Sequence, residues 1–325
     1  MRAPFRMLAF AACLLFAGPA PAQEWPSHPL TLVVPFAAGG GADIFARILA
    51  MSLAEFLGQP VTIENVGGGG GITGALRVSR AAPDGYQFLL GTTGTHAHSQ
   101  VLYRNPPYDA VTDFTPVALV AEQPILLVVR KDFPGSNLDD FIAYARTNQR
   151  RMQFGSAGTG SGVHLACVLL NAAIGVNIVH IPYRGTAPAM QDLIAGRIDY
   201  QCPVITPVMP SIKGGLVKAI ATLTKNRTPI LPDLATAQEQ GLTDFEAYMW
   251  FAIFLPRATP ADIVHKLQRA IAAAEKLPTV QQRLKEIGAN PIAPERQTPE
   301  YLAAFVEREV AKWEAPIHAS GIGMD

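Results

Sequence analysis

The sequence has few charged residues and few cysteines, and each shortage excludes a class of protein. Charged residues make up 16% of the 325 positions, and the 26 basic groups balance the 26 acidic ones. Without an excess of basic charge, no patch for nucleic acid or for an anionic membrane surface is expected. Three cysteines are too few for a disulfide scaffold. No cluster of Cys, His and Asp has metal-ligand spacing, so we expect no metal site.

Long apolar runs are absent beyond the start of the chain. Residues 1–22 begin with Arg2 and Arg6, continue through an apolar run over positions 7–18, and end in small residues. This three-part pattern is typical of a secretory signal peptide, with cleavage expected after Ala22. No later run reaches the roughly 18 apolar residues of a transmembrane helix. We therefore expect an exported and soluble mature chain.

Short β-branched segments alternate with longer helical segments along the rest of the chain. LTLVVPF precedes ADIFARILAMSLAEFLG, and a second series of the same kind starts at ILLVVRKD. The alternation predicts an α/β fold with parallel-rich sheets flanked by helices. Because about 300 residues exceed one ordinary core, we expect two lobes. Apolar runs at 123–130 and 247–255 predict two inter-lobe crossings. The expected boundaries are 23–126 and 249–325 for lobe 1, and 127–248 for lobe 2.

Four predicted strand-to-helix turns are rich in glycine, serine, threonine or proline. In parallel α/β sheets such turns lie at the carboxyl ends of strands, where ligands bind. Glycine lets the backbone approach a ligand, and the N–H groups at a helix start attract an anion without lysine or arginine. The set predicts an anion-binding cleft, although tight turns that need a positive φ are the alternative. The four turns are residues 35–43, 91–96, 155–164 and 202–207.

The run VGGGGGITG contains the spacing G-x-G-x-x-G at Gly69, Gly71 and Gly74. A dinucleotide site also requires an acidic residue about 20 positions later, at the end of the next strand. That strand is YQFLLG, and it ends at Gly91 and Thr92 instead. No Gly-Lys-Ser/Thr follows any of these glycines. We therefore expect no nucleotide and no other cofactor.

Some residues allow more than one interpretation. An exported serine hydrolase using Ser156 or Ser161 with His164 is the rival function, although neither serine lies in a G-x-S-x-G elbow. Arg184 would either grip a carboxylate or form an ion pair with Asp192 or Asp199. Export permits a disulfide between the two cysteines left after cleavage. We expect two buried thiols instead, because each lies in an apolar run; these cysteines are Cys167 and Cys202.

Several motifs together resemble the Bug-type extracytoplasmic receptors, the substrate-binding components of tripartite tricarboxylate transporters. These are VPFAAGGGADIFAR, ENVGGGGGITGA, AAPDGYQFLLGTTGTH, FGSAGTGSGVHLA, IPYRGTAPAMQDLIAGRIDY and TPEYLAAFVEREVAKWEAPIHASGI. The resemblance implies a two-lobed periplasmic-binding-protein fold, type II-like, that closes over one small carboxylated solute. It implies a periplasmic receptor that works with membrane permease subunits and catalyses no reaction. A sensor kinase is an alternative partner.

The resemblance also implies a set of ligand-binding residues. Backbone amides and hydroxyls of two turns would hold the solute carboxylate, with Thr92 and Tyr183 lining the cleft. The residues of those turns are Phe36, Ala37, Ala38, Gly40, Ser156, Ala157, Thr159 and Ser161. His164, at the start of a helix, is a candidate donor, and Asp199 would suit an ammonium group if it faces the cleft. The solute itself stays open between a di- or tricarboxylate, an aromatic acid and an acidic amino acid.

Overall fold

The structure is a computed structural model, and it describes residues 24–323 of the chain. The expected signal peptide, residues 1–22, lies outside the described residues. Among the helices that are described, none is both long enough and apolar enough to cross a membrane.

The described residues form ten strands arranged in two five-stranded sheets. The strand order is β2-β1-β3-β10-β4 in the first sheet and β7-β6-β8-β5-β9 in the second. The strands are β1 (Leu30–Val34), β2 (Val61–Asn65), β3 (Gln87–Thr92), β4 (Phe114–Pro124), β5 (Leu126–Arg130), β6 (Gln153–Ser156), β7 (Val179–Pro182), β8 (Tyr200–Gln201), β9 (Val217–Thr222) and β10 (Tyr248–Pro256). Below, lobe 1 and lobe 2 denote the parts of the chain that carry the first and second sheet.

Helices flank both sheets. They are α1 (Gly41–Leu57), α2 (Ile72–Ser79), α3 (Ser99–Leu102), α4 (Leu138–Asn148), α5 (Gly162–Ala173), α6 (Thr186–Ile194), α7 (Ile205–Lys213), α8 (Ala261–Glu275), α9 (Pro278–Glu286) and α10 (Pro299–Ala319). In α1, apolar residues spaced three to four apart, such as Phe45, Leu49 and Leu53, are buried. Gly58 then ends α1 in the left-handed conformation.

Both sheets are mixed in the same way. In lobe 1, β1 pairs parallel with β2 and β3, and β10 lies antiparallel between β3 and β4. In lobe 2, β6 pairs parallel with β7 and β8, and β5 lies antiparallel between β8 and β9. The chain changes sheet between β4 and β5, and again between β9 and β10. The predicted α/β class, with helices flanking both sheets, is therefore confirmed. Each sheet is mixed, with two parallel and two antiparallel pairings, and the second sheet is inserted within the first.

A buried carboxylate attaches α10 to β10. Glu309 accepts hydrogen bonds from Tyr248 Oη at 2.7 Å, Trp250 Nε1 at 2.9 Å and Trp313 Nε1 at 3.2 Å. Because Trp250 points towards α10, its strand neighbours Met249 and Phe251 point to the opposite face of the sheet. These two residues, near the start of β10, border a cavity between the lobes.

Cys167 and Cys202 form a disulfide, with their Cα atoms 5.5 Å apart. The expectation of two separate thiols is therefore wrong. Tyr200 of β8 points to the sheet face that α5 covers, where its hydroxyl donates to Asn171 of α5 at 2.6 Å. Cys202, two residues later, lies on the same face. The packing of α5 on this face, and not the local sequence, brings the two sulfur atoms together.

Candidate functional site

A cavity lies between the two lobes. Both the predicted turns and the second crossing strand contribute to its walls. Lobe 1 supplies Phe36, Gly40, Gly41, Ala42, Thr92, Met249 and Phe251, and lobe 2 supplies Ala157, Ser161, Gly162, Val163, Thr186 and Val204.

Four helices begin at this cavity. The first residues of α1, α5 and α6 line it, and so does Val204, the residue before α7. The N–H groups of a first helical turn have no partner within the helix, and the helix dipole places partial positive charge there. The cavity is therefore surrounded by N–H donors suited to an anion.

Side-chain charge does not contribute to the lining. None of the described residues that border the cavity is lysine, arginine, histidine, aspartate or glutamate. The polar side chains are the hydroxyls of Thr92, Ser161 and Thr186. Ser161 caps α5: its Oγ accepts from His164 N at 3.3 Å and donates to Gly158 O at 2.7 Å. The remaining walls are apolar, which suits the carbon skeleton of a solute and limits water.

The turn before α1 is held in shape by Asp43. This carboxylate accepts hydrogen bonds from Gly39 N at 2.9 Å, from Asn65 Nδ2 at 3.0 Å and from Arg47 Nε at 3.0 Å. Asn65 Nδ2 also donates to Phe36 O at 3.1 Å. Asp43 therefore orients the backbone of the turn and does not border the cavity.

Five of the twelve predicted ligand-binding residues border the cavity: Phe36, Gly40, Thr92, Ala157 and Ser161. Three others lie at the edges of the same turns. Ala37 N donates to Arg184 O in the other lobe at 3.0 Å. Ala38 is exposed, and the Thr159 backbone packs against Gly70 of lobe 1.

The other four predicted residues are engaged away from the cavity lining. Ser156 Oγ lies 2.7 Å from His180 Nε2, and Tyr183 Oη donates to Asp192 Oδ2 at 2.6 Å. His164 Nδ1 accepts from Gly160 N at 3.2 Å, and burial lowers the pKa of His164 to about 3. Asp199 pairs with Arg130, Nε to Oδ1 3.0 Å, and Asp199 Oδ2 accepts from Gln153 N at 2.8 Å.

Arg184 takes neither of the two arrangements considered from sequence. Its side chain is exposed and does not border the cavity. Asp192 pairs instead with Arg197, and Asp199 pairs with Arg130. The part of Arg184 that matters to the cleft is its carbonyl oxygen, which accepts from Ala37 across the lobes.

Comparison with known proteins decides the family. Residues 45–322 match the model of the tripartite tricarboxylate transporter family receptor. The chain belongs to this receptor family. The Bug-type resemblance and the two-lobed periplasmic-binding-protein fold are thereby confirmed, and the chain is a solute-binding receptor of a tripartite tricarboxylate transporter.

Solved relatives of the receptor cover nearly the whole chain. The periplasmic binding protein BugD is similar at TM-score 0.90 and 39% identity, over 93% of this chain and 100% of BugD. MatC from Rhodopseudomonas palustris, solved with bound malate, is similar at TM-score 0.88 and 40% identity, over 90% of this chain and 100% of MatC. A second R. palustris protein, solved with adipate, is similar at TM-score 0.87 and 37% identity, over 92% of this chain and 99% of that protein.

The receptor cleft also contains residues that sequence reasoning missed. Val204 lies in the proline-bounded turn 202–207, so attention to that turn would have found it. Thr186 begins a helix after Gly185, a weaker signal of the same kind. Met249 and Phe251 belong to a run that is apolar on both strand faces, and nothing in it distinguishes the residues that face the cleft.

The geometry does not assemble the predicted serine and histidine pair of a hydrolase. Ser161 Oγ contacts backbone atoms, and the His164 ring contacts Gly160 N. Ser156 does contact an imidazole, that of His180, but it does not border the cavity. Within residues 24–323, no carboxylate is hydrogen-bonded to the His180 ring, so a third member of a triad is absent there.

Proposed function

We propose that this receptor captures a small organic carboxylate between its lobes in the periplasm and presents it to membrane permease subunits. The observation that carries the proposal is the meeting of four helix N-termini at a cavity whose described lining has no charged side chain. Such a cavity stabilises an anion through backbone N–H groups. MatC with malate and the second R. palustris protein with adipate support the ligand class.

The carboxylate is held by the first turns of α1 and α5. The N–H groups of Gly41 and Ala42 approach it from lobe 1, and those of Gly162 and Val163 approach it from lobe 2. The Thr186 hydroxyl adds a donor. Among the residues predicted from sequence, we assign contact roles to Phe36, Gly40, Thr92, Ala157 and Ser161.

Capture requires the lobes to close. With residues 23–126 and 249–325 as lobe 1 and 127–248 as lobe 2, two crossing segments join the lobes. Rotation of two rigid lobes about a few crossing residues is a common mode of solute capture. The receptor releases its solute to the permease without changing it chemically.

A screen of carboxylates tests the proposal. Malate, adipate, an aromatic acid and an acidic amino acid are each added to the purified receptor, with the corresponding primary amides as controls. A ligand at 100 times its dissociation constant adds roughly 2.7 kcal/mol to the stability of the folded state, which thermal unfolding detects. Stabilisation by an acid and not by its amide is expected. Equal shifts from acid and amide, or no shift from any acid, would overturn the carboxylate class.

A backbone donor can be removed with little change in side-chain volume. Val163→Pro deletes the second N–H of α5, at a helical position where proline is tolerated. Loss of a hydrogen bond to a charged group costs about 1.5–3 kcal/mol, so affinity should fall about tenfold or more. Asp139→Pro, the same position of the exposed α4 start, is the matched control and should bind normally.

Salt dependence and esterase assays separate this proposal from its rivals. Fixed amide dipoles in a partly dry cleft are weakly screened, so affinity should change less than about tenfold between low and high salt. A steeper loss would indicate binding by exposed charges. Activated esters should not be turned over, and turnover abolished by Ser161→Ala would instead support an exported hydrolase.

A further inference from the structure

Five consecutive glycines, Gly67–Gly71, follow β2 in lobe 1 and have no role in the proposed carboxylate contacts. Gly68 to Gly71 all have positive φ, so the loop takes a path that other residues rarely follow. Gly70 in this loop faces the lobe 2 turn that leads into α5.

Gly70 makes the tightest of these contacts. A Cβ atom on Gly70 would overlap Thr159 O and lie 2.7 Å from Ser161 N. From the other side, a Cβ atom on Gly158 would lie 3.0 Å from Gly70 N. The two backbones can meet at this distance only because both residues lack side chains.

Two more glycines of lobe 1 lie against the backbone of lobe 2 with no room for a side chain. A Cβ atom on Gly94, just after β3, would lie 2.6 Å from Gly162 N at the start of α5. A Cβ atom on Gly67 would lie 2.9 Å from Arg184 O. That carbonyl also accepts the inter-lobe hydrogen bond from Ala37 N at 3.0 Å. Glycines of lobe 1 therefore contact the backbone of lobe 2 at three places. These are Gly67 against Arg184, Gly70 against Thr159, and Gly94 against Gly162 at the start of α5.

We propose that this glycine contact sets how far the lobes close, and that it thereby positions the N-terminus of α5 against the bound solute. The glycine contact consists of Gly67, Gly70 and Gly94 on lobe 1 and Gly158 and Gly162 on lobe 2. These are positioning residues, since Gly162 alone among them borders the cavity. The inference rests on the proposed capture by closure.

The physical reason is the short range of hydrogen bonding. Ser161 and Gly162 border the cavity. In the proposed binding mode, the N–H groups of Gly162 and Val163 approach the solute from lobe 2. A methyl group at position 70 or 94 must push lobe 2 outwards, because backbone atoms cannot rotate away as a flexible side chain can. Each N–H from α5 then lies beyond good hydrogen-bond distance of a solute held on lobe 1.

Two alanine variants and one matched control test the inference. Gly70 has φ 65° and Gly58 has φ 67°, so alanine is equally strained at both, but nothing lies within 4 Å of a Cβ atom at Gly58. Gly70→Ala and Gly58→Ala should therefore lose similar stability. Of these two variants, only Gly70→Ala should lose affinity for the solute, by tenfold or more. Gly94→Ala, which has no positive φ to strain it, should lose affinity with little loss of stability.

The probes are malate and adipate, measured by stopped-flow fluorescence and calorimetry. If the contact limits closure, the dissociation rate constant rises in both variants while the association rate constant stays within about twofold, because encounter with the open lobes is unaffected. Affinity of Gly70→Ala and Gly94→Ala equal to that of Gly58→Ala would overturn the inference and leave the receptor function intact.

If neither acid binds, that result counts against the proposed ligand class. The inference about closure is then tested by measuring the distance between the lobes without solute. Spin labels on exposed positions of each lobe report the inter-lobe distance. The shortest populated distance should be longer in Gly70→Ala and Gly94→Ala than in Gly58→Ala. Identical distance distributions in all three variants would overturn the inference by this route as well.

Discussion

Removing the disulfide should destabilise the receptor by an amount that the chain separation determines. Cys167 and Cys202 are 35 residues apart, and a cross-link of that span removes about 13 cal/mol/K of entropy from the unfolded chain. At 25 °C this corresponds to about 4 kcal/mol. The unfolding entropy is about 2.1 cal/mol/K per residue over roughly 300 residues, so the melting temperature should fall by about 6 °C.

The double variant Cys167→Ala/Cys202→Ala is the direct perturbation. Both side chains are buried, so part of any loss comes from the missing sulfur contacts. Wild-type protein unfolded and refolded in reductant keeps both sulfur atoms as thiols and is compared with the same protein carried through the cycle without reductant. Differential scanning calorimetry and urea titration measure the difference.

The bond also has a consequence for the cleft. It joins α5, whose first residues border the cavity, to the segment that leads into Val204 on the same wall. Without it, affinity for the solute should fall as well as stability. Two thiols per denatured, unreduced chain, or a double variant with unchanged melting temperature, would refute the reasoning.

Three further outcomes follow from buried polar groups. Thr186→Val keeps the shape of the side chain but removes a hydroxyl from the cavity. Because a neutral hydrogen bond contributes about 0.5–1.5 kcal/mol, solute affinity measured by calorimetry should fall about three- to tenfold. Unchanged affinity would exclude the contact. Burial raises the pKa of Glu275 well above its usual value, so the folded state favours the protonated acid and loses stability as pH rises above the unfolded pKa. Glu275→Gln should therefore raise the melting temperature at pH 8 more than at pH 5, and a gain independent of pH would contradict this. Burial lowers the pKa of His96 and of His98 to about 3, so the stability due to their neutral forms is complete above the unfolded pKa and is lost as pH falls below it. At one pH unit below an unfolded pKa of about 6.5, each should cost about 1.4 kcal/mol, and His96→Phe should flatten the pH dependence seen in urea titrations.

Turn chemistry made part of the cleft predictable. The residues predicted correctly lie in turns between the end of a strand and the start of a helix, and parallel strands place such turns at one edge of a sheet. They are Phe36, Gly40, Thr92, Ala157 and Ser161. The order of strands and helices was also predictable, because strands and helices place their buried side chains with different periods along the chain.

Residues whose direction depends on packing were less predictable. Asp199 immediately precedes β8 and lies three residues before the turn 202–207, yet it pairs with Arg130 on the neighbouring strand. Met249 and Phe251 face the cleft because Trp250 between them points to Glu309. An all-apolar strand has no polar residue to mark its outer face, so its sequence is equally compatible with either orientation.

The sequence by itself determined the alternation of strands and helices, the turns suited to an anion, and a receptor family. These follow from local properties: backbone conformation, side-chain period and the residue types at helix starts. Tertiary structure alone decided the Cys167–Cys202 bond, the contact of Gly70 with lobe 2, and the partners of Asp199. Each joins residues at least 35 positions apart, and such distances are set by how sheets and helices pack, not by any pattern within one segment.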